Sequence, residues 1–281
     1  YPIFIPSKGR ADDLLTARTF DRDGVPYRVV VQPDQVEAYQ EWADRGLLMV
    51  LPEGDKGLVY ARNWIKDRAT EEGCERHWQF DDDVIWLGMV HKGYRIQCDA
   101  GIAIAACEDF VDQYENVALA SLNAQMFIIC NGTSNINLPP FYLNTRCYTV
   151  FLILNSIPNR WRFRYNEDTD LSIRALKDGW CTVLFNAFLA MKQTTMTMKG
   201  GNTDELYIED GRLKMAESLR DQHPDIVSIT RKWDRWQHHV DYSGFKMNRL
   251  RKRENARIES GVNNFGMVLQ IDTVQNAQVG E

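Results

Sequence analysis

Three consecutive aspartates, Asp81, Asp82 and Asp83, are the residues of this sequence best suited to chemistry. They follow a short apolar stretch with Trp78 and Phe80, as at the end of a strand. Adjacent carboxylates repel one another, so the cluster needs a positive partner. Mg²⁺ or Mn²⁺ is suitable, because both prefer oxygen ligands and commonly keep a phosphate as a further ligand. A solvated acidic turn is the alternative interpretation.

A second acidic pair, Glu167 and Asp168, precedes a predicted helix and is a candidate for acid–base chemistry. Helix capping and the helix dipole also favour carboxylates at such a position, so a structural role is open as well. Asp170 follows closely and is expected to cap the helix or to pair with Arg174.

Cations that can hold phosphates or a nucleotide occur in several predicted loops. The first predicted strand ends in a turn made of Pro6, Ser7, Lys8, Gly9 and Arg10. A later loop contains Lys56, and the helix before the aspartates contains Arg62. A flexible loop with one point charge is formed by Lys199, Gly200 and Gly201. We favour a functional role for Arg62, whereas Lys8, Lys56 and the Lys199 loop have an equally good interpretation as ordinary surface features.

The elements that must position these residues alternate regularly over the first 85 residues. Strands are predicted at 3–5, 25–31, 47–51 and directly before the aspartates, with helices after residues 12, 33 and 57. This pattern predicts an α/β, Rossmann-like fold with a mixed, mostly parallel central sheet flanked by helices. Ligands bind such sheets at the carboxyl ends of the strands. The Pro6–Arg10 turn, the Lys56 loop and the aspartates all fall there, which favours a metal–phosphate site over an acidic turn.

The second half of the chain is less regular. A hairpin is predicted at 86–97, helices at 101–114, 171–179 and 211–222, strands at 117–122, 126–130, 147–154, 161–165 and 181–185, and a long polar loop at 131–146. Aromatic residues alternate with three arginines in the segment 160–165, and further basic residues cluster at 246–257. A local basic surface is therefore expected, although the chain carries a net charge of −6.

Composition is that of a globular protein, with 44% hydrophobic and 26% charged residues in 281. No window approaches the ~18 apolar residues of a membrane span, and the amino terminus lacks a signal-peptide pattern. Six scattered cysteines fit reduced, mostly buried thiols. We therefore expect a cytoplasmic protein without a membrane partner. Because the sequence begins with Tyr1, we also expect that it has been trimmed.

The motifs, in this order, resemble those of the GT-A fold glycosyltransferases. The resemblance covers residues 1 to about 190 and rests on the Pro6–Arg10 turn, Ala61-Arg62-Asn63, the acidic motif after Phe80, and the segment Glu167–Trp180. It implies a GT-A fold over residues 1–240, with a nucleotide-sugar-binding half at 1–85 and an acceptor-binding half at 86–240. Residues 241–281 would form a basic, then polar, extension.

The sequence is most similar to the TET-associated glycosyltransferases of bacteriophages, through IPSKGRADDLLTAR, VPYRVVVQP and MKGGN. That resemblance implies transfer of glucose or N-acetylglucosamine from a UDP-sugar to 5-hydroxymethylcytosine in DNA, in the cytoplasm of the host cell. It further implies that Mn²⁺ or Mg²⁺ is bound by Asp81, Asp83 and a histidine near the carboxyl terminus, His239 or His238.

The same resemblance implies a role for each of the other candidate residues. Asp168, with Glu167, would act as general base in an inverting reaction, whereas a retaining reaction requires no base. The donor would contact the Pro6–Arg10 turn, Lys56, Arg62, Asp81, Asp82 and the loop of Lys199, Gly200 and Gly201.

Three other functions are compatible with these residues. The same fold can act on a protein, a glycan or a small molecule, which the acidic net charge favours. A non-catalytic module that binds nucleotide-sugars is the second possibility. A nucleotidyltransferase that uses the same acidic cluster is the third, and it would release pyrophosphate.

Overall fold

The computed structural model describes residues 1–130, 138–193, 211–232 and 234–256. The strands are β1 Ile3–Pro6, β2 Arg28–Val31, β3 Leu48–Val50, β4 Arg76–Phe80, β5 Val84–His91, β6 Tyr94–Gln97, β7 Val117–Ala124, β8 Phe141–Leu143, β9 Val150–Leu154, β10 Cys181–Lys192, β11 Val227–Lys232 and β12 Arg235–Val240. The helices are α1 Leu15–Asp23, α2 Gln40–Asp44, α3 Gly57–Glu71, α4 Ala100–Val111, α5 Glu167–Lys177 and α6 Gly211–Gln222.

One mixed sheet of ten strands organises the described chain. Its order is β3-β2-β1-β4-β9-β7-β10-β5-β6, with β8 paired to β10. Strands β1, β2, β3 and β4 are parallel to one another, and β7 is parallel to β10. Strand β9 is antiparallel to both β4 and β7, and β5 is antiparallel to β10. The predicted α/β class with a mixed central sheet is therefore confirmed, and β11 and β12 form a separate hairpin.

Both faces of the sheet are covered, as alternate residues of β1 demonstrate. Ile3 and Ile5 enter the largest buried cluster together with Phe20 of α1, whereas Phe4 enters a different cluster with Ile65 of α3. In a strand, successive side chains point to opposite faces, so the helices must cover both sides of the sheet. The apolar run of β1 therefore fixes the strand in the middle of the core.

Most elements agree with the sequence prediction. The four strands and the intervening helices of the first 85 residues are present, as are the hairpin β5–β6 and helix α4. Helix α5 is also present, but it begins four residues before the predicted start at 171. Helix α1 begins after Leu14, which takes the cap position without a side-chain hydrogen bond. All six cysteines are free, and three of them are buried.

Three predicted segments differ. Residues 126–130 form no strand, because β7 ends in a short 3-10 turn at Gln125–Phe127 that leaves Ile129 82% exposed. Residues 161–165 form no strand either, since Phe163 is exposed and has φ +63°. The predicted loop at 131–146 contains the short strand β8 in its described part. The hairpin β11–β12 was not predicted.

The described residues after position 241 pack against the main sheet and its helices. The Asn144 amide donates to the carbonyls of Phe245 and Asn248 at 2.9 and 2.7 Å. The Arg251 amide donates to Asn116 Oδ1 at 2.7 Å, which holds the segment beside the start of β7. Among the helices that the structure describes, none is long and apolar enough to cross a membrane.

Candidate active site

The three aspartates lie directly after β4, and each is paired with a cation. Asp81 Oδ1 accepts from Arg62 Nη2 at 2.9 Å, and its Oδ2 accepts from Lys192 Nζ at 2.7 Å. Asp82 accepts from Arg10 Nη1 at 2.5 Å. Lys192 Nζ also lies 3.3 Å from Asp83 Oδ1. The cluster is therefore not a solvated acidic turn.

These pairings set the charge state of the carboxylates. Burial favours the neutral form of Asp81, but Lys192 and Arg62 outweigh it and lower the pKa of Asp81. Burial raises the pKa of Asp83, and Lys192 opposes that rise. Asp83 Oδ1 is buried and accepts no hydrogen bond, because Lys192 is poorly aligned with it.

A divalent cation suits this set of donors. Asp81 and Asp83 present hard carboxylate oxygens, and Asp83 Oδ1 is a buried acceptor without a donor. Among the described residues, no three His, Cys, Asp or Glu side chains form a metal-binding group, so His239 is not gathered with the two aspartates. Mg²⁺ in phosphate-binding sites commonly uses one or two carboxylates, so the aspartate pair is sufficient.

The turn after β1 is tied to the aspartates through Asp82. Ser7 Oγ donates to Asp82 Oδ2 at 2.7 Å and lies 2.7 Å from the Tyr39 hydroxyl. Gly9 has φ +67°, and its amide donates to Gln35 Oε1 at 2.9 Å. Pro6, as the last residue of β1, fixes where this turn begins. The sequence predicted that Asp82 contacts the donor, but its oxygens are occupied by Ser7 and Arg10.

Two lysines that were candidate phosphate ligands lie at the surface near this turn. Lys8 Nζ pairs with Asp55 at 3.1 Å, and Lys56 Nζ pairs with Glu53 at 3.1 Å. Each lysine side chain is about half exposed. Because exposed ion pairs contribute little, either lysine can exchange its partner for a phosphate at small cost. The loop with Lys199, Gly200 and Gly201 lies outside the described residues.

Arg62 is buried, which rules out an ordinary helix-surface arginine. Its side chain is 4% exposed, and its guanidinium carbon lies 4.4 Å from the ring centre of Trp161 and 5.1 Å from that of Phe151. Its Nε and Nη1 are buried without hydrogen-bond partners. Buried donors without partners carry a desolvation cost, so these two nitrogens are an exception among buried polar groups.

Helix α5 brings Glu167 and Asp168 to the aspartate cluster. Burial and the adjacent Asp168 raise the pKa of Glu167, Arg62 lowers it, and Asp81 raises it further. These interactions place the start of α5 opposite the end of β4. Asp168 Oδ1 accepts from the Thr169 amide at 2.6 Å. The two acidic motifs of the sequence therefore interact electrostatically, through Glu167 and Asp81.

Asp170 has a structural role instead. It is 1% exposed and pairs with Arg174, as predicted, and also with Arg162 and His223. These partners outweigh burial and hold the pKa of Asp170 far below its usual range. The result is a buried charge cluster that joins α5 to the segment before it and to the end of α6.

A cavity of about 260 Å³ is formed around the hairpin β11–β12. Its lining includes Arg146, Lys232, His238, His239 and Tyr242. Burial and then Arg146 lower the pKa of His238, while Asp168 raises it. Burial likewise raises the pKa of Tyr242, with Asp168 adding to the rise. The charge of Asp168 therefore acts on two residues of this cavity, which we call the histidine cavity.

Sequence reasoning missed Lys192. The lysine ends the long apolar strand β10 and pairs in register with Val84, next to Asp83, after an irregularity at Met191. The Gln193 amide donates to the Asp83 carbonyl at 3.0 Å and fixes this juxtaposition. No local signal marks the lysine, because only the pairing of β10 with β5 brings it to the aspartates.

The family model TAGT, TET-Associated Glycosyltransferase, matches residues 1–201, and the chain belongs to this family. No curated protein matches the chain.

Several solved structures are similar at low sequence identity. A197 from STIV has 11% identity and a TM-score of 0.40, with coverage of 69% of this chain and 85% of that chain. A candidate nucleotide-diphospho-sugar transferase from Desulfovibrio desulfuricans has 11% identity and a TM-score of 0.41, with coverage of 79% and 97%. Mannose-1-phosphate geranyltransferase from Thermus thermophilus has 16% identity and a TM-score of 0.33, with coverage of 68% and 57%.

Proposed function

We propose that this chain transfers glucose or N-acetylglucosamine from a UDP-sugar to 5-hydroxymethylcytosine in phage DNA, with Mn²⁺ or Mg²⁺ as cofactor. Membership of the family supports glycosyl transfer, and the TET association in its name supports a hydroxymethylated base as acceptor. The observation that carries the proposal is the convergence of Asp81, Arg62 and Glu167 at the end of β4.

The donor half of the proposed site is cationic around the aspartates. Asp81 and Asp83 would hold the divalent ion, which when bound neutralises the diphosphate that leaves. Arg62 offers two buried donors that suit phosphate or sugar oxygens. Lys8 and Lys56 add positive charge for the nucleotide. Roles for the Lys199–Gly201 loop and for His239 remain predictions.

The acceptor half of the proposed site extends from Asp168 into the histidine cavity. Asp168 accepts the proton of the attacking hydroxyl as general base. Burial and the charge of Asp168 raise the pKa of Glu167 beside it. Arg146 and Lys232 in the cavity suit the phosphates that flank an acceptor nucleotide.

The test is a direct product analysis. DNA with and without 5-hydroxymethylcytosine is incubated with the protein, Mn²⁺ and a panel of UDP-sugars, then digested to nucleosides and analysed by mass spectrometry. We expect the mass of 5-hydroxymethyldeoxycytidine to rise by one hexose or N-acetylhexosamine, and unmodified DNA to stay unchanged. Absence of any such product with every donor would contradict the proposal.

A pair of variants connects the activity to the site. Asp83→Ala removes a proposed metal ligand and is expected to abolish transfer with the fold intact. Asp44→Ala, which removes an exposed carboxylate bonded to Gln40, is the matched control and is expected to leave transfer unchanged. Full activity of Asp83→Ala, or full activity after removal of metal, would exclude the metal-dependent site.

A glycosyltransferase with a protein, glycan or small-molecule acceptor is the alternative, and two observations favour it. The net charge is −6. Arg160 and Arg162, which belong to the predicted basic surface, pair with Asp67 and Asp170. A titration of DNA binding against salt separates the two proposals, because phosphate contacts weaken steeply as salt rises.

Two further alternatives have their own assays. A module that only binds nucleotide-sugars predicts no hydrolysis of a UDP-sugar with Mn²⁺ present. A nucleotidyltransferase predicts release of pyrophosphate from a nucleoside triphosphate.

A further inference from the structure

Lys192 is held between two carboxylates by the backbone around it. Its Nζ lies 2.7 Å from Asp81 Oδ2 and 3.3 Å from Asp83 Oδ1, and its side chain is 26% exposed. The pairing of Lys192 with Val84 and the bond from the Gln193 amide to the Asp83 carbonyl fix its position. The strand pairing of the sheet therefore places the lysine beside the aspartates.

The three cations of the cluster have different partners. Arg10 binds Asp82, and Arg62 binds Asp81 Oδ1. In the part of the chain that the structure describes, Lys192 is the cation paired with both Asp81 and Asp83. The ammonium supplies one positive charge to the two carboxylates that would hold a divalent ion. Both cations therefore require the same two carboxylates.

The chemistry of a lysine side chain allows its ammonium to leave the two carboxylates. Lysine carries a compact charge on a flexible stem, whereas an arginine such as Arg62 is fixed by its planar fork and by the rings beside it. Lys192 makes one well-aligned hydrogen bond, to Asp81, and leaves Asp83 Oδ1 without one. The ion pair with Asp83 is therefore the weaker of its two contacts.

We propose that Lys192 is an internal counter-ion that competes with the divalent cation for Asp81 and Asp83. The proposal rests on the donor site proposed above. The aspartate pair then has low affinity for the ion alone, because binding requires displacement of the ammonium. A nucleoside diphosphate relieves the competition, because its phosphates offer the displaced ammonium another anionic partner. Ion and nucleotide consequently bind together more tightly than either binds alone.

The test measures binding of Mn²⁺ by calorimetry, with and without UDP and without any acceptor. We expect UDP to tighten Mn²⁺ binding to the native protein by at least about tenfold. Lys192→Met should bind Mn²⁺ alone at least about tenfold more tightly than the native protein, and UDP should add less. Lys177→Met, which removes a lysine that pairs with Asp225, is the control and should match the native protein.

Thermal unfolding gives a second readout that does not depend on turnover. Lys192→Met leaves Asp81 and Asp83 facing each other without their shared cation, so its Tm should fall in EDTA and recover with Mn²⁺. Lys192→Arg keeps the charge and covers the case in which the methionine variant does not fold. Its fork holds the carboxylates more firmly, so Mn²⁺ should bind it more weakly than the native protein.

The outcomes separate this proposal from the proposed function. Mn²⁺ affinity that is unchanged in Lys192→Met, or unchanged in Lys192→Arg when the methionine variant does not fold, would overturn the competition even if sugar transfer is observed. Failure of UDP to bind the native protein would remove the donor site itself. Tighter Mn²⁺ binding by Lys192→Met, with no transfer to DNA, would support the competition and reject the acceptor.

Discussion

Arg62 illustrates how much one side chain of this site depends on its surroundings. A guanidinium between Trp161 and Phe151 keeps its charge while it loses nearly all contact with water. Stacking on aromatic faces and the bond to Asp81 compensate for that loss. The remaining donors, Nε and Nη1, are directed by the same packing. The arginine is thus preorganised for a polar ligand.

Substitution Arg62→Lys tests that preorganisation. Lysine keeps the charge but loses the planar stack and the fork, so UDP affinity should fall at least about tenfold and stability by about 2 kcal/mol. Calorimetry with UDP and denaturant unfolding measure both quantities. Arg68→Lys is the matched control, because Arg68 lies on the same helix over Trp64 but is 42% exposed. Equal effects of the two substitutions would contradict a special role for Arg62.

At the scale of single elements, β4 carries a neutral histidine in its interior. His77 is fully buried; its Nδ1 lies 2.5 Å from Asn155 Oδ1, and its Nε2 lies 2.9 Å from Gln79 Nε2. The amide oxygen accepts and the amide nitrogen donates, which suits a ring protonated on Nδ1 alone. Burial lowers the pKa of His77 to about 3, although Asn155 opposes this.

Because His77 is buried in its neutral form, we expect the free energy of unfolding to fall in acid. Between about pH 6.5 and about pH 3, His77 binds a proton in the unfolded chain but not in the folded one. The contribution of His77 to the free energy of unfolding is therefore complete above about pH 6.5. It falls as the pH drops, by about 2 kcal/mol at pH 5. His77→Gln removes the titration, so the stability difference from the native protein should shrink between pH 8 and pH 5. A constant difference in denaturant unfolding would refute this.

The hairpin β5–β6 contains a close approach that requires glycine. A Cβ on Gly88 would lie 2.6 Å from the Ile96 carbonyl oxygen and 2.6 Å from the Trp86 ring. The carbonyl belongs to the backbone and cannot move without disturbing the pairing of Gly88 with Gln97. Gly88→Ala should therefore cost about 1–3 kcal/mol in denaturant unfolding. Gly244→Ala, where a Cβ meets open space, should cost much less.

The elements also show where sequence reasoning succeeds and where it fails. The strands of the first half were predicted well, because β-branched runs such as Val29–Val31 alternate with helical patterns of adequate length. The segment 161–165 had a period of two, but Arg162 is drawn to Asp170 and Phe163 adopts a left-handed backbone. Tertiary contacts therefore overrode the local pattern.

Some residues of the candidate site were likewise predicted from the sequence, and others were not. Asp81, Arg62 and Glu167 were predicted, because their sequence context is distinctive and the structure brings them together. Lys192 was not, since its partners lie about a hundred residues away and meet it only through pairing of β10 with β5. The histidine cavity escaped prediction for a similar reason, because it combines Arg146 with the separate hairpin β11–β12.

For the whole molecule, the distribution of charge matters more than its sum. Two basic residues of the carboxyl-terminal cluster pair with acidic neighbours, Arg251 with Glu115 and Arg253 with Glu75. By contrast, Arg146 and Lys232 share the histidine cavity. Any DNA held by this acidic protein is therefore expected to rely on a few local phosphate contacts.

That distribution predicts a modest salt dependence of DNA binding. Each phosphate contact contributes a slope of about −0.9 in log K against log salt. Replacement of both Arg146 and Lys232 by Gln should reduce the slope by about 1–2 and weaken binding of every sequence alike. Arg251→Gln, which removes an arginine already paired with Glu115, should change the slope little. Fluorescence anisotropy at several salt concentrations measures each slope.

Strand β4 pairs with strands of both predicted halves, which limits how the chain can be divided into fragments. It is hydrogen-bonded to β1 on one edge and to β9 on the other, so the predicted donor and acceptor halves share one continuous backbone ladder. A fragment that ends at residue 85 would expose one edge of β4 to self-association. Exchange of one half between relatives would require matching strand edges as well as matching specificities. Recombination that grafts a new acceptor half therefore has to place its junctions outside β4 and β9.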